Sequence, residues 1–163
     1  MRLPIKIIVS LFFLSLTTST QAAETGYPEF KLPTLTSGKI VDIKKLRGKV
    51  VYVDFWASWC GPCRKSMPQF KLLYTKLASK GFEIVAINLD EDDADAKRFL
   101  NQVPVNYTVL RDASGKTPEQ FGVKVMPTGY LLDRFGLIRY THEGFRDGDA
   151  QKLEAQIKKL LAE

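Results

Sequence analysis

The sequence contains only two cysteines and one histidine in 163 residues. A tetrahedral zinc site needs more cysteine and histidine ligands than that, so structural zinc is not expected. No segment is repeated and no proline-, glycine- or serine-rich linker divides the chain, which predicts one domain of ordinary size. Basic residues are scattered among acids although the net charge is +6, and this pattern gives little support to nucleic-acid binding.

The one long apolar run lies at the N-terminus. Arg2 and Lys6 precede a stretch that is apolar apart from two serines, and small or polar residues then lead to Ala23. This order is typical of a secretory signal peptide over residues 1–23. An uncleaved membrane anchor is the weaker interpretation, because a helix of that stretch is about 15 Å long, half of a hydrocarbon core of about 30 Å. We therefore expect an exported domain over residues 24–163, in the periplasm or otherwise outside the cytoplasm.

Strand and helix patterns alternate along that domain. Val50–Trp56 is largely apolar on both faces, which is typical of a strand in the middle of a sheet. The alternation ends in a hairpin and one more helix, so it predicts a layered α/β domain with a mixed sheet. Strands are predicted at 30–32, 39–42, 50–56, 83–89, 107–110, 128–132 and 137–141, and helices from the cysteine pair to Gly81, from Asp92 or Asp93 to about Leu100, at 117–121 and at 149–161.

The two cysteines form the motif Cys60-Gly61-Pro62-Cys63 between a buried strand and a long helix. A helix N-terminus carries partial positive charge and unpaired N–H groups, which favour a thiolate over a thiol. The thiolate attacks in disulfide exchange, and such a setting lowers a cysteine pKa from its usual value of about 8.5. We expect Cys60 to be exposed and to attack first, and Cys63, one turn further in, to resolve the mixed disulfide.

A stabilising cross-link and a metal site are the alternatives for this pair. The loop that the cysteines close is so short that the chain-entropy estimate is about 2 kcal/mol, against about 4.7 kcal/mol for about a hundred residues. His142 is the only histidine. The acids at 90–95 lack the glycine and glutamate of a calcium loop. Redox chemistry, without a metal or a cofactor beyond the cysteine pair, is the favoured interpretation.

The segment from Val53 to Arg64, with its Trp-Cys-Gly-Pro-Cys signature, resembles the active site of the thioredoxin superfamily. Pro68 matches a proline in the active-site helix of that family, and 125–128 resembles its cis-proline loop. From about Tyr27 to the C-terminus the chain is most similar to the periplasmic TlpA/ResA-like branch. The resemblance implies a thioredoxin fold, with a central mixed β-sheet flanked by helices and an N-terminal β extension.

The resemblance also implies a substrate groove. Pro127 would be the cis-proline packed against the disulfide, and the backbone of Met126 and Thr128 would pair with a substrate peptide as an added strand. Trp59 would form one wall of the groove, next to Gly61-Pro62. The alternative for Trp59 is a plain packing role.

Asp54 and Glu91 are the candidate proton-transfer residues. Asp54 matches the buried aspartate beneath the cysteines of thioredoxins, where a raised pKa would let it take the proton of Cys63; alternatively it bonds backbone in its strand. Glu91 falls where ResA-like proteins carry a glutamate close to the disulfide, or else it belongs to a solvated acidic helix start. The lysine that accompanies the aspartate in cytoplasmic thioredoxins is replaced by Ala86. The resemblance therefore does not identify which residues complete the proton pathway.

The family further implies a direction and partners. TlpA/ResA-like proteins are generally reductants that serve cytochrome c maturation or related tasks, and the Gly-Pro dipeptide resembles that of reducing thioredoxins. The expected partners are substrate proteins with disulfides and a membrane thiol-transfer protein that donates electrons. Three alternatives remain: a peroxidase, although Ala57 stands where peroxiredoxins have threonine, a copper-delivery protein, and a non-enzymatic peptide-binding module.

Overall fold

A computed structural model describes residues 29–163 of the chain. They begin with an antiparallel hairpin of two short strands, β1 (Lys31–Pro33) and β2 (Ile40–Asp42), which is the expected N-terminal β extension. The predicted signal peptide lies outside the described residues. None of the helices within residues 29–163 is both long and apolar enough to cross a membrane.

The predicted alternation of strands and helices is confirmed in the rest of the domain. The bounds of three elements, the central strand, the strand at 128–132 and the last helix, match the prediction. The elements are β3 (Val50–Trp56), α1 (Gly61–Leu77), β4 (Phe82–Asn88), α2 (Asp93–Gln102), β5 (Thr108–Arg111), α3 (Lys116–Phe121), β6 (Thr128–Leu132), β7 (Ile138–Glu143) and α4 (Asp149–Leu161).

The central sheet is mixed and has the strand order β5-β4-β3-β6-β7. Strands β3, β4 and β5 are parallel, whereas β6 and β7 run antiparallel to their neighbours. Every residue of β3 and β4 is buried, because these strands are covered on both faces. The thioredoxin fold expected from the sequence is therefore confirmed.

Side chains of β3 alternate between two apolar layers. On one face Tyr52 and Trp56 pack with α1, α2 and α4, and on the other Val53 and Phe55 pack with α3 and the N-terminal segment. Asp54 has the strand position between Tyr52 and Trp56, so its carboxyl points into the α1 layer. A charged residue type thus occupies a core position directly below the helix that carries the cysteines.

Helix boundaries follow from local capping. Asp92 accepts a hydrogen bond from the backbone N–H of Ala94 at 2.8 Å and so begins α2, as predicted. After α1 the chain makes one 3-10 turn and stops at Gly81, whose φ of 94° is in the left-handed region that favours glycine. This stop returns the chain into β4, so that β3, α1 and β4 form a parallel β-α-β unit.

Candidate active site

The cysteine pair lies where β3 passes into α1. Cys60 is the N-cap residue of α1, and its Sγ accepts a hydrogen bond from the backbone N–H of Cys63 at 3.2 Å. Pro62 occupies the first turn, where its missing N–H leaves no hydrogen bond unmade. Cys60 and Cys63 are joined by a disulfide with a Cα–Cα distance of 5.3 Å. In the reduced protein the same N–H and the helix dipole favour negative charge on the Cys60 sulfur.

The two cysteines differ in burial, but less than expected. Cys63, in the first turn of α1, is fully buried, whereas Cys60 is 5% exposed. The expectation that Cys60 is exposed is thus wrong for the disulfide form, because its sulfur is bonded to Cys63 and lies in the floor of a groove. The order of accessibility still favours Cys60 as the sulfur that a partner reaches first.

A carboxylate that the sequence reasoning missed holds the loop before Cys60. Asp90 is buried, and it accepts hydrogen bonds from the backbone N–H of Ser58 at 3.0 Å and from the Ser58 hydroxyl at 2.9 Å. The side-chain amide of Asn88 donates to the same carboxylate at 2.8 Å. Asp90 therefore fixes the segment that places Trp59 and Cys60. Its place near the cysteines could have been predicted from the sequence, because Asp90 directly follows the predicted strand 83–89. The carboxyl ends of parallel strands share one edge of the sheet, and the cysteine pair follows the parallel strand β3.

A groove of about 480 Å³ opens above the disulfide. Two exposed apolar side chains border this groove, since Trp59 is 70% exposed and Val125 is 49% exposed. Trp59, Gly61, Pro62 and Met126 were expected here and line the groove; the sequence reasoning missed Leu89, Pro118, Val123, Lys124 and Val125.

The loop facing the disulfide contains a cis peptide bond between Met126 and Pro127. Pro127 is buried, and its carbonyl accepts a hydrogen bond from the Gly144 N–H at 2.8 Å. The hydroxyl of Thr128 donates to the Val125 carbonyl at 2.7 Å. These bonds fix the loop on both sides of the proline.

Met126 and Thr128 differ in their ability to pair with a peptide. Thr128 is the first residue of β6 and is paired with Phe55 on one side and Glu143 on the other. Its backbone therefore has no free edge, so the expectation that Thr128 pairs with substrate does not agree with the structure. By contrast, no group within residues 29–163 is hydrogen-bonded to the backbone N–H or carbonyl of Met126.

Asp54 is fully buried, and neither carboxylate oxygen has a hydrogen-bond partner among the described residues. The alternative that Asp54 bonds backbone is therefore not seen. Burial raises the pKa of Asp54 well above its ordinary value of 3.8, because the charged form loses its hydration. A carboxyl with such a raised pKa is suited to exchanging a proton with a thiol.

Two further charged residues belong to the sequence segments that flank the site. Glu91 is exposed and does not line the groove, and its expected position close to the disulfide stays a prediction. The guanidinium of Arg64 lies 4.7 Å from the ring centroid of Phe99 and donates to Gln102 at 3.1 Å. Ala86 pairs with Asp54 across β3 and β4, which agrees with its expected place beside the buried aspartate.

The fold and the disulfide at the start of α1 define the class of this protein as a thioredoxin-fold thiol–disulfide oxidoreductase. Its sequence matches the Redoxin family model over residues 21–157, and the chain therefore belongs to the Redoxin family. The resemblance to the thioredoxin superfamily and its TlpA/ResA-like branch is thereby confirmed.

Similar proteins share this chemistry. Thiol-disulfide oxidoreductase ResA of Bacillus anthracis is 36% identical over 133 residues, which cover 82% of this chain and 75% of ResA. The crystal structure of a Chlorobium tepidum protein assigned as thiol:disulfide interchange protein DsbE has a TM-score of 0.80 at 48% identity and covers 83% of this chain and 95% of its own. StoA from Bacillus subtilis has a TM-score of 0.67 at 26% identity, with coverage of 78% and 95%.

Proposed function

We propose that this chain is an exported reductase of protein disulfides. The observation that carries the proposal is the position of the Cys60 sulfur at the N-cap of α1, where it accepts the Cys63 N–H. The free backbone of Met126 beside it supports docking of an extended substrate segment by strand pairing. Trp59 and Val125 supply apolar contacts on the two sides of that segment.

The reaction follows from this geometry. The Cys60 thiolate attacks one sulfur of the substrate disulfide, a mixed disulfide forms, and the other substrate sulfur leaves as a thiolate. The Cys63 thiol gives its proton to Asp54, and the resulting thiolate attacks Cys60. This second exchange releases the remaining substrate thiolate and leaves the Cys60–Cys63 disulfide. Two electrons pass from the cysteine pair to the substrate, and the proton held by Asp54 is finally lost to water.

The reducing direction and the partners belong to the same proposal. A reductant in an oxidising compartment must be reduced again, so a membrane thiol-transfer protein is the proposed electron donor. The cysteine pair itself stores the two electrons, and no other cofactor is proposed. Substrates in cytochrome c maturation fit the TlpA/ResA-like resemblance, and the predicted signal peptide at residues 1–23 fits export.

Cysteine variants test the exchange chemistry. Cys60→Ser should abolish reduction of insulin disulfides by the purified domain, and Cys63→Ser should accumulate mixed disulfides with partners because the resolving thiol is missing. Trapped partners are released by dithiothreitol and identified by mass spectrometry. Retained reductase activity in Cys60→Ser would contradict the proposed attack, and the double variant is the control for trapping.

Equilibration with glutathione tests the direction. Potentials of this fold extend from about −270 mV for reducing members to about −120 mV for strong oxidants. The proposal expects a value near the reducing end. A value near the oxidising end would overturn the reductase assignment while leaving the exchange chemistry intact. Loss of c-type cytochromes in a deletion strain, restored by the full-length gene and not by a Cys60→Ser gene, would support the maturation role.

A further inference from the structure

One charged side chain borders the substrate groove. Among the lining residues that the structure describes, Lys124 is the only one with a charge, and the rest of the lining is Cys60, Gly61 and apolar side chains. Binding grooves are mostly apolar and owe much of their specificity to a few polar groups at fixed positions. Lys124 is therefore the lining residue that can distinguish one client segment from another by charge.

The charge of Lys124 is not compensated by another described residue. Lys124 is exposed and forms no ion pair with a carboxylate in that part of the chain. The carboxylate of Asp90 is buried and already hydrogen-bonded to Ser58. Glu91 and Glu119 are exposed but do not line the groove. The charge that a bound segment meets at the groove wall is therefore positive.

The backbone that carries Lys124 is fixed on both sides. The Val123 N–H donates to a backbone carbonyl of α3 at 2.9 Å, and the Val125 carbonyl accepts from the Thr128 hydroxyl at 2.7 Å. Lys124 thus has a defined place two residues before Met126, at most about 7 Å away along an extended chain. Its flexible four-carbon stem lets the ammonium adjust to a bound segment.

A client segment that pairs with the Met126 backbone would pass this ammonium. Residues of an extended strand are spaced by about 3.3 Å, so Lys124 lies level with client positions about two residues from the one that pairs with Met126. Met126 and Cys60 line the same groove, which places that paired residue at or next to the attacked cysteine. An exposed ion pair changes an equilibrium constant by about twofold to fivefold, and like charges act in the opposite sense.

We infer that Lys124 is a specificity-determining residue for the exchange reaction. It favours client segments that carry aspartate or glutamate about two residues from the attacked cysteine, and it disfavours segments that carry lysine or arginine there. The inference rests on the proposed function, because it needs an extended client docked beside Met126. Lys124 takes no part in the transfer of electrons or protons: the Cys60 thiolate still forms the bond to the client sulfur, and the other sulfur still leaves.

Matched peptides test the selection. Three peptides differ in one residue, Glu, Gln or Lys, placed two positions from a single cysteine, and two such sets place it on the amino or the carboxyl side. Each cysteine is held in a mixed disulfide with an aromatic thiol, which is the better leaving group, so Cys60 attacks the peptide sulfur. Release of the coloured thiolate by the reduced protein gives a second-order rate constant. Dividing it by the rate constant for dithiothreitol corrects for the intrinsic reactivity of each peptide.

The expected result is a charge preference that depends on Lys124. In at least one set the Glu peptide should react about threefold faster than the Gln peptide, and the Lys peptide about threefold slower. Lys124→Gln should bring both ratios close to one, and Lys124→Glu should invert them. Raising the salt concentration from about 20 mM to about 500 mM should weaken the wild-type preference, because the charges are then screened.

Lys65→Gln is the matched control. It removes the same charge from the first turns of α1, where Lys65 is exposed and lines a different cavity together with residues at the start of α4. The wild-type ratios should persist in this variant. Equal loss of the ratios in Lys65→Gln and Lys124→Gln would overturn the inference, since the preference would then come from the net charge of the protein. Ratios that Lys124→Glu leaves in place would overturn it as well.

Failure of the proposed function gives a different result. If the reduced wild-type protein released no aromatic thiolate from any peptide, the exchange reaction itself would be refuted. Release at equal corrected rates from all peptides would leave the exchange chemistry intact and refute only the selection by Lys124.

Discussion

Asp54→Asn is expected to make the oxidised protein more stable at neutral pH. Asp54 is fully buried without a hydrogen-bond partner among residues 29–163, and burial raises its pKa well above 3.8. Folding therefore costs free energy whenever the carboxyl is ionised in the unfolded chain. Each pKa unit by which folding raises this group corresponds to about 1.4 kcal/mol. Asparagine has nearly the same shape and carries no charge, so the variant avoids this cost.

The sign of the pH dependence follows from linkage. In the wild type the raised pKa means that the folded state binds more protons than the unfolded state. The contribution of Asp54 to stability is thus fully present below 3.8 and is lost as the pH rises through the pKa of the folded state. The difference in unfolding free energy between variant and wild type should be near zero at pH 3.5, rise steadily above it, and become constant above the folded-state pKa.

Denaturant unfolding of both proteins from pH 3.5 to 9 measures this difference. Some carboxylates, such as Asp112, have a pKa that folding lowers, and they also make stability depend on pH. Both proteins share these groups, so their contribution cancels when one curve of unfolding free energy is subtracted from the other. The same variant should resolve mixed disulfides about 100-fold more slowly or worse, because the base for Cys63 is gone. A variant that is equally stable at pH 4 and pH 8, relative to wild type, would refute the assignment of a raised pKa to Asp54.

Two stability changes follow from other contacts near the site. Asp90→Ala should lower the unfolding free energy by about 3 kcal/mol, because Ser58 and Asn88 lose a charged acceptor, whereas Glu91→Ala should change it by less than about 0.5 kcal/mol. Equal effects of these two variants in urea denaturation would contradict the role given to Asp90. Gly129→Ala should destabilise by about 3 kcal/mol, since a Cβ there would overlap the phenol of Tyr52. A thermal melt equal to that of wild type would show that the sheet shifts to make room.

Most of the fold could be predicted because its signals are local. The apolar run of Val50–Trp56 and the amphipathic repeat of Asp149–Leu161 fix those elements to the residue. The N-cap position of Cys60 follows from the same reasoning, since a strand must end and a helix begin around the motif. What local patterns do not contain is the pairing order of the strands, which depends on contacts between distant segments.

The differences within the site have the same cause. Burial of Cys60 depends on the neighbouring loop at 123–126, which approaches only in the folded chain. Thr128 has no free backbone edge because β6 lies between β3 and β7, a placement that its own residues do not reveal. In the acidic segment 90–95, the sequence pattern does not show whether the side chain of Asp90 or that of Glu91 points inward. In the folded chain it is Asp90 that points inward, because its carboxylate accepts hydrogen bonds from Ser58.

The unpaired main chain of Met126 has a consequence for selectivity. All residues except proline present the same backbone N–H and carbonyl, so the proposed pairing there would not depend on the identity of the client's side chains. Any further selection among clients would then come from the exposed side chains of Trp59 and Val125 on either side. These would favour apolar residues next to the substrate disulfide without requiring a particular sequence motif. Under the proposed docking, the choice among clients would depend mainly on which cystines lie in flexible, extended segments.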